Sequence, residues 1–285
     1  MKTEYQVLIP ESGVASEIIE RVDESVYSQV KFHCDNLERF FESYLGYWLF
    51  QSNVESIEKY LNSDHSKLIL PSSLSEIERE VAKIQLNRIF LNLLSSFRSF
   101  IDHAETTIAR QDEKLIAAFK TAQATEYDSN DHYRLFWELR NFSQHCALPI
   151  SGYKIDVVKS DNSLRFKTQL VPVIHSKHLL KNWDKWKPKV KQWLDSNAEI
   201  SVKDLIHHVR ESVLRIQGAF LGRDITSVKE SYGYLTEFKA KFNLQERAVE
   251  LYFIKDSKPK ERVSVSHYKM IVAKSFLSEQ KPLSI

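Results

Sequence analysis

Apolar residues recur at helical spacing through most of the first 150 residues. One such pattern runs from Ser16 to Phe50, a second from Ser75 to about Ile108, and a third from Glu113 to Ala124. Side chains three and four positions apart share one face of a helix, so these patterns predict amphipathic helices. A short helix over Val54–Leu61, capped by Asn53, is predicted between the first two.

Polar residues at the ends of these patterns indicate where helices begin. Ser75 is followed three residues later by Glu78, which forms a capping box ahead of the second pattern. The segment 127–130 is predicted to be a turn, after which Asn130 or Asp131 caps a fourth helix. This helix is expected to end before Pro149, because the residue that precedes a proline is pushed out of helical geometry.

The period changes after Ile150, where apolar and polar residues alternate. Alternation over 153–170, interrupted by the polar segment 160–163, predicts a β-hairpin. A second hairpin is predicted over 249–265. Helical patterns lie between the two hairpins: one from about His178 with an interruption at Pro188, one from Ser201, and one that carries Val228, Leu235, Phe238 and Phe242.

Together these patterns predict a mainly α fold, a helical bundle with one or two small β-hairpins in the C-terminal half. Only 6 Gly and 7 Pro occur in 285 residues, which favours long regular elements over loops. The expected organisation is a helical domain over 1–150, with a core at about 75–150, and an α+β region over 151–285.

The charge is distributed unevenly between these two regions. Residues 1–150 hold 15 Lys and Arg against 23 Asp and Glu, whereas residues 151–285 hold 25 against 15. The basic region could bind a polyanion, and it could equally attract the acidic region. The two cysteines, Cys34 and Cys146, are too few for a disulfide framework or a cysteine-based zinc site, so a cytoplasmic protein without a metal or other cofactor is expected. Residues 1–10 do not resemble a signal peptide, and no apolar stretch is long enough to span a membrane.

Arg140, Asn141 and His145 form the group of residues with the clearest chemical interpretation. An imidazole titrates near neutral pH, so His145 can move protons as a base or an acid. A guanidinium is permanently charged and binds phosphate oxygens with two parallel hydrogen bonds, which suits Arg140 to a phosphodiester. Asn141 could orient the phosphate or the imidazole by hydrogen bonding.

The sequence from Arg140 to His145 resembles the motif of the HEPN superfamily, in which an arginine and a polar residue precede a histidine by a gap of four to six. The resemblance covers this motif and the helices from about Ser75 to Leu148. It implies a helical bundle that dimerises, and metal-independent RNA cleavage of the kind found in toxins and antiviral defence proteins. An antitoxin or another regulatory protein is then an expected partner. Some members carry a tyrosine two residues after the histidine, where this chain has Ala147.

The spacing of the motif constrains its geometry. Residues five apart on a regular helix are separated by roughly 140° about the axis, so Arg140 and His145 do not lie side by side on an unbroken helix. Asn141 and His145 are four apart, so they lie side by side on one face of such a helix. Either the helix begins, kinks or ends within the motif, or Arg140 of one protomer acts with His145 of another. A homodimer is therefore part of the nuclease hypothesis.

Other interpretations of the same residues stay open. Arg140 could pair with Glu138, and His145 could favour the carbonyl end of the helix, which would leave a helical scaffold. The chain could also be a non-catalytic module that binds RNA or protein.

Several residues outside the motif have both a functional and a structural interpretation. A row of lysines, interleaved with tryptophans that are predicted to be mainly core, could contact RNA: Lys181, Lys185, Lys187, Lys189 and Lys191. A structural role is predicted for His207 and His208 rather than a metal site. Cys34 lies within a long helical pattern, so it is not predicted to be a nucleophile.

Overall fold

A computed structural model shows a mainly helical chain with small antiparallel sheets. It describes residues 4–9, 17–65, 68, 73–111, 113–159, 166–221, 225–244, 248–255 and 258–279. The helices in this part are α1 Glu24–Leu61, α2 Ser73–Gln111, α3 Glu113–Ser129, α4 Asp131–His145, α5 Ser176–Asn182, α6 Pro188–Ser196, α7 Val202–Leu221, α8 Ile225–Lys241 and α9 His267–Glu279. The strands are β1 Glu4–Ile9, β2 Glu17–Val22, β3 Gly152–Lys159, β4 Phe166–His175, β5 Glu199–Ser201, β6 Val249–Lys255 and β7 Lys258–Val265.

The chain divides into two compact units. The terminal unit contains residues 1–44 and 221–285, and the central unit contains residues 45–220. The division passes through α1, whose first part belongs to the terminal unit and whose second part belongs to the central unit. The boundary that the sequence predicts near residue 150 lies inside the central unit.

The terminal unit is built on a sheet that joins both ends of the chain. Its strand order is β2-β1-β6-β7, and all neighbours are antiparallel. Val7 on β1 lies opposite Leu251 on β6, and both side chains are fully buried. The hairpin predicted over 249–265 is confirmed as β6 and β7, with residues 256 and 257 outside the described part. Helix α9, for which the sequence analysis made no prediction, follows β7.

The N-terminal strands correct the prediction of a helix from Ser16 to Phe50 and of hairpins in the C-terminal half alone. Residues 17–22 form β2, and α1 begins only at Glu24. The carboxylate of Asp23 accepts a hydrogen bond of 2.9 Å from the backbone N–H of Val26, which caps the first turn. Strand β2 contains three β-branched residues that favour extended backbone, so its apolar spacing was compatible with either element. Helix α1 then continues to Leu61 without the predicted break at Asn53.

The central unit holds the predicted helices around an aromatic core. The second predicted pattern is α2, and the third is α3, which runs five residues beyond the predicted end and leaves no turn over 127–129. Phe97 on α2 packs edge-on against Phe136 of α4 at 5.1 Å between ring centroids. A Cβ atom at Gly46 would lie 3.1 Å from the Cα atom of Phe100, so glycine permits the close approach of α1 to α2.

A three-stranded sheet completes the central unit. The predicted hairpin over 153–170 is confirmed as β3 and β4, although its turn at 160–163 lies outside the described residues. Strand β5 extends the sheet in the order β3-β4-β5. The break predicted at Pro188 is also present, since α5 ends at Asn182 and α6 begins with this proline.

Candidate functional site

Helix α4 carries the motif, and a side-chain cap fixes where this helix begins. The side-chain oxygen of Asn130 accepts hydrogen bonds from the backbone N–H groups of His132, at 3.0 Å, and Tyr133, at 3.3 Å. Its side-chain nitrogen donates to the hydroxyl of Ser212 on α7, at 2.9 Å. The predicted cap is therefore confirmed as Asn130, and the cap ties the start of α4 to a neighbouring helix.

Arg134 and Glu138 in α4 are buried and hydrogen-bonded, whereas the hydroxyl of buried Tyr133 has no hydrogen-bond partner among the described residues. Arg134 donates from Nε to the carbonyl of Tyr127 at 2.8 Å and from Nη2 to the carbonyl of Asp128 at 2.7 Å, and its Nη1 pairs with Asp131. These bonds satisfy carbonyls at the end of α3. Glu138 accepts a hydrogen bond from the Tyr127 hydroxyl at 3.2 Å. Burial, together with the charge of Glu138, raises the pKa of Tyr127 to about 12.

Arg140 differs from Arg134 although both lie on α4. Its side chain is half-buried, and its Nε is buried without a hydrogen-bond partner within the described part of the chain. The pairing with Glu138 that a structural role would provide is not among the ion pairs of that part. A buried donor without a partner costs about 1–3 kcal/mol, so folding alone does not account for this guanidinium.

His145 lies at the other end of the motif. It is the last residue of α4 and is exposed to solvent, while Asn141 one turn earlier is half-buried. The backbone N–H of Cys146 still bonds to the carbonyl of Phe142 at 2.9 Å, so the helix is unbroken through the motif. The side chains of Arg140 and His145 therefore project from α4 in directions roughly 140° apart about the helix axis, whereas Asn141 and His145 lie on one face.

Two tryptophans pack beside the end of α4. The ring of Trp183 stacks against the imidazole of His145, with 6.1 Å between centroids and 11° between planes. Its indole Nε1 is buried and has no hydrogen-bond partner among the described residues. Trp186 is buried, stacks on Phe142 at 5.5 Å and donates from Nε1 to the carbonyl of Leu179 at 3.2 Å. Trp186 is thus core, as predicted, but half-buried Trp183 belongs to the surroundings of His145.

The lysines of the predicted RNA-contacting edge all lie in the central unit and are all exposed: Lys181, Lys185, Lys187, Lys189 and Lys191. They do not follow one helix, because residues 183–187 form the connection between α5 and α6. The ammonium of Lys185 lies 5.9 Å from the ring centroid of Trp183. Lys189 pairs with Asp128 at 3.3 Å, a contact between exposed groups that contributes little to stability.

The other candidates have structural surroundings. Burial raises the pKa of the Cys34 thiol to about 12, which makes it a poor nucleophile at neutral pH. His208 stacks on His132 at 4.3 Å, and exposed His207 lies 3.5 Å from Glu211. Within the described residues, no three His, Cys, Asp or Glu side chains are grouped as a metal site would require. None of the described helices has an apolar stretch that could cross a bilayer.

The structure thus defines a mainly helical chain whose central unit presents a histidine, a half-buried arginine and an indole near the end of one helix. The chain matches no protein-family model, no curated protein and no solved structure. The function of the chain is therefore inferred from these residues and their surroundings.

Proposed function

We propose that the chain is a metal-independent endoribonuclease of the HEPN type. The observation that supports this function most directly concerns Arg140, whose buried Nε has no hydrogen-bond partner among the described residues. By contrast, each side-chain nitrogen of Arg134, on the same helix, has a partner. A cation without a carboxylate among the described residues suits an anionic substrate, and exposed His145 on the same helix supplies an imidazole that can accept or donate a proton.

The reaction assigns a separate role to each motif residue. His145 removes the proton from a ribose 2′-hydroxyl, which attacks the adjacent phosphorus, and a second imidazole or water protonates the departing 5′-oxygen. Arg140 stabilises the additional negative charge on the phosphoryl oxygens. Asn141, on the same face of α4 as His145, orients the imidazole or the phosphate. The products are a 2′,3′-cyclic phosphate and a 5′-hydroxyl.

The angular positions on α4 support a homodimer as part of the proposal. Because the helix is unbroken, Arg140 and His145 of one chain point in directions roughly 140° apart. In the proposed dimer, Arg140 of one protomer and His145 of its partner act on the same phosphodiester. Two such sites form per dimer.

Residues next to α4 support RNA as the substrate. The exposed lysines of the 181–191 segment can neutralise phosphates, and the exposed part of Trp183 can stack on a base. A nuclease of this type would act as a toxin or an antiphage effector and would be held inactive by a regulatory protein. The tyrosine used for such control in part of the superfamily is replaced here by Ala147, so the control would use another site.

The decisive experiment is a cleavage assay on single-stranded RNA in the presence of EDTA. The wild-type chain is expected to release fragments with 2′,3′-cyclic phosphate ends, and His145→Ala is expected to lower the rate by about 10²–10⁴-fold. His207→Ala is the matched control, because His207 is an exposed histidine of the same unit outside the motif. If the wild type binds RNA but does not cleave it, the chain is an RNA-binding module and not a nuclease.

A further inference from the structure

A second site lies in the terminal unit, in a cavity of about 260 Å³ between α8 and α9. One face of α8 contributes Tyr232, Thr236 and Lys239, and one face of α9 contributes His267, Met270 and Lys274. All these residues belong to the terminal unit. The cavity is therefore separate in sequence and in unit from the motif on α4.

Lys239 is the unusual residue in this cavity. Its side chain is only 1% exposed, and within the described part of the chain its ammonium has one hydrogen-bond partner, Nδ1 of His267 at 3.4 Å. A buried ammonium is normally paired with a carboxylate, since an unpaired charge is costly to remove from water. Half-buried Lys269, on α9, has such a partner, because it pairs with Glu38. Burial lowers the pKa of both amines, but only Lys269 has a carboxylate partner among the described residues.

The polar residues of the lining add positive charge and hydrogen-bond donors, and Met270 and Ile271 are apolar. Lys274 contributes a second ammonium, His267 an imidazole and Tyr232 a hydroxyl, and none of the described lining residues is acidic. His267 is also the first residue of α9, where helix N–H groups are partly positive. Basic groups therefore come from both walls of the cavity, and nothing in the described lining neutralises them.

We infer that this cavity binds a phosphate group, either free or carried by a small monoester no larger than a mononucleotide. Lys239 and His267 contact the phosphate at the inner end, Lys274 closes the site from the solvent side, and Met270 and Tyr232 pack against the remainder of the ligand. Phosphate suits the site because its several oxygens can accept hydrogen bonds from donors on two helices at once. A bound anion also supplies the partner that Lys239 lacks.

The test is calorimetric titration of the full chain, at pH 7, with inorganic phosphate and separately with adenosine 5′-monophosphate. Lys239→Met keeps the length of the side chain and removes its charge, and it is expected to weaken binding by at least tenfold. Lys229→Met, on an exposed position of the same helix, is the matched control and is expected to bind as the wild type does. Tighter binding of the monoester identifies an esterified ligand, and equal binding identifies free phosphate.

The variant also reports on folding, which separates a lost site from a lost fold. Replacing an unpaired buried charge by an apolar chain of similar length should leave the thermal midpoint unchanged or raise it. If Lys239→Met fails to fold, Lys274→Met, at an exposed position, is expected to weaken binding severalfold. Absence of binding by the wild type, or equal binding by the wild type and a folded lysine variant of the cavity, would overturn the assignment.

Discussion

The buried charged groups of α4 differ in whether they have hydrogen-bond partners among the described residues. In the first half, Asn130 caps the helix, and Arg134 and Glu138 are buried with hydrogen-bond partners. In the second half, the Nε of Arg140 is buried without a partner and His145 is exposed. Packing and hydrogen bonding explain the first set of residues completely. The second set needs a further explanation, and the proposed RNA substrate supplies one.

Replacing Arg140 should lower the rate of RNA cleavage without lowering stability. Arg140→Ala is expected to lower kcat/KM for RNA cleavage by about 10²–10³-fold, because it removes the cation that stabilises the phosphoryl oxygens. The free energy of unfolding should not fall, since the buried Nε has no bond to lose and its removal relieves a cost of about 1–3 kcal/mol. Initial rates in EDTA and urea denaturation measure the two quantities. Arg210→Ala, at an exposed position of α7, is the control, and equal rates for the two variants would contradict the proposed role.

Replacing Arg134 should have the reverse effect. Arg134→Ala is expected to lower the free energy of unfolding by about 3 kcal/mol, because the carbonyls of Tyr127 and Asp128 at the end of α3 lose their donor. Well below the unfolding transition, the rate of RNA cleavage by the folded protein should stay close to that of the wild type. Urea denaturation followed by circular dichroism measures the loss. A variant as stable as the wild type would show that these bonds do not hold α3 to α4.

A smaller loss is expected at the cap. Asn130→Ala should lower the free energy of unfolding by about 1–2 kcal/mol, because two N–H groups of the first turn lose their acceptor and the hydrogen bond from Asn130 to Ser212 is lost. Ser129→Ala is the neighbouring control, since the Ser129 hydroxyl bonds only to the carbonyl of Thr125 one turn earlier in α3. If the two variants lose the same stability, the side-chain cap is not what stabilises the start of α4.

Local patterns predicted the elements of this fold better than their long-range pairing. The start of α4 at Asn130 and the hairpin β3–β4 follow from residues that are neighbours in sequence. The pairing of β1 with β6 joins residues that are more than 240 positions apart, so no local pattern marks it. The helix predicted over residues 17–22 fails for a different reason, since β2 pairs with nearby β1 and its apolar spacing is compatible with either a helix or a strand.

The surroundings of the candidate sites were predictable only in part. The motif identified Arg140 and His145, but Trp183 reaches His145 from the connection after α5, where no periodicity indicates a contact. Lys239 did leave a signal, because it lies four positions after buried Leu235 and therefore on the apolar face of α8. A lysine at such a position usually extends its ammonium to solvent, and only the structure shows that this one does not.

The smallest expected effect concerns the lysines that follow α5. Lys187→Ala removes one exposed cation with no ion pair among the described residues, so it should weaken RNA binding only severalfold at physiological salt. It should also reduce the slope of log K against log salt by about 0.7, the value for one phosphate contact on a single strand. Lys203→Ala, an exposed lysine on α7, is the control. Binding to labelled single-stranded RNA, measured at several salt concentrations with catalysis disabled by His145→Ala, determines the slope. An unchanged slope would place the RNA away from this edge, and the contrast within α4 would then be the remaining support for an RNA substrate.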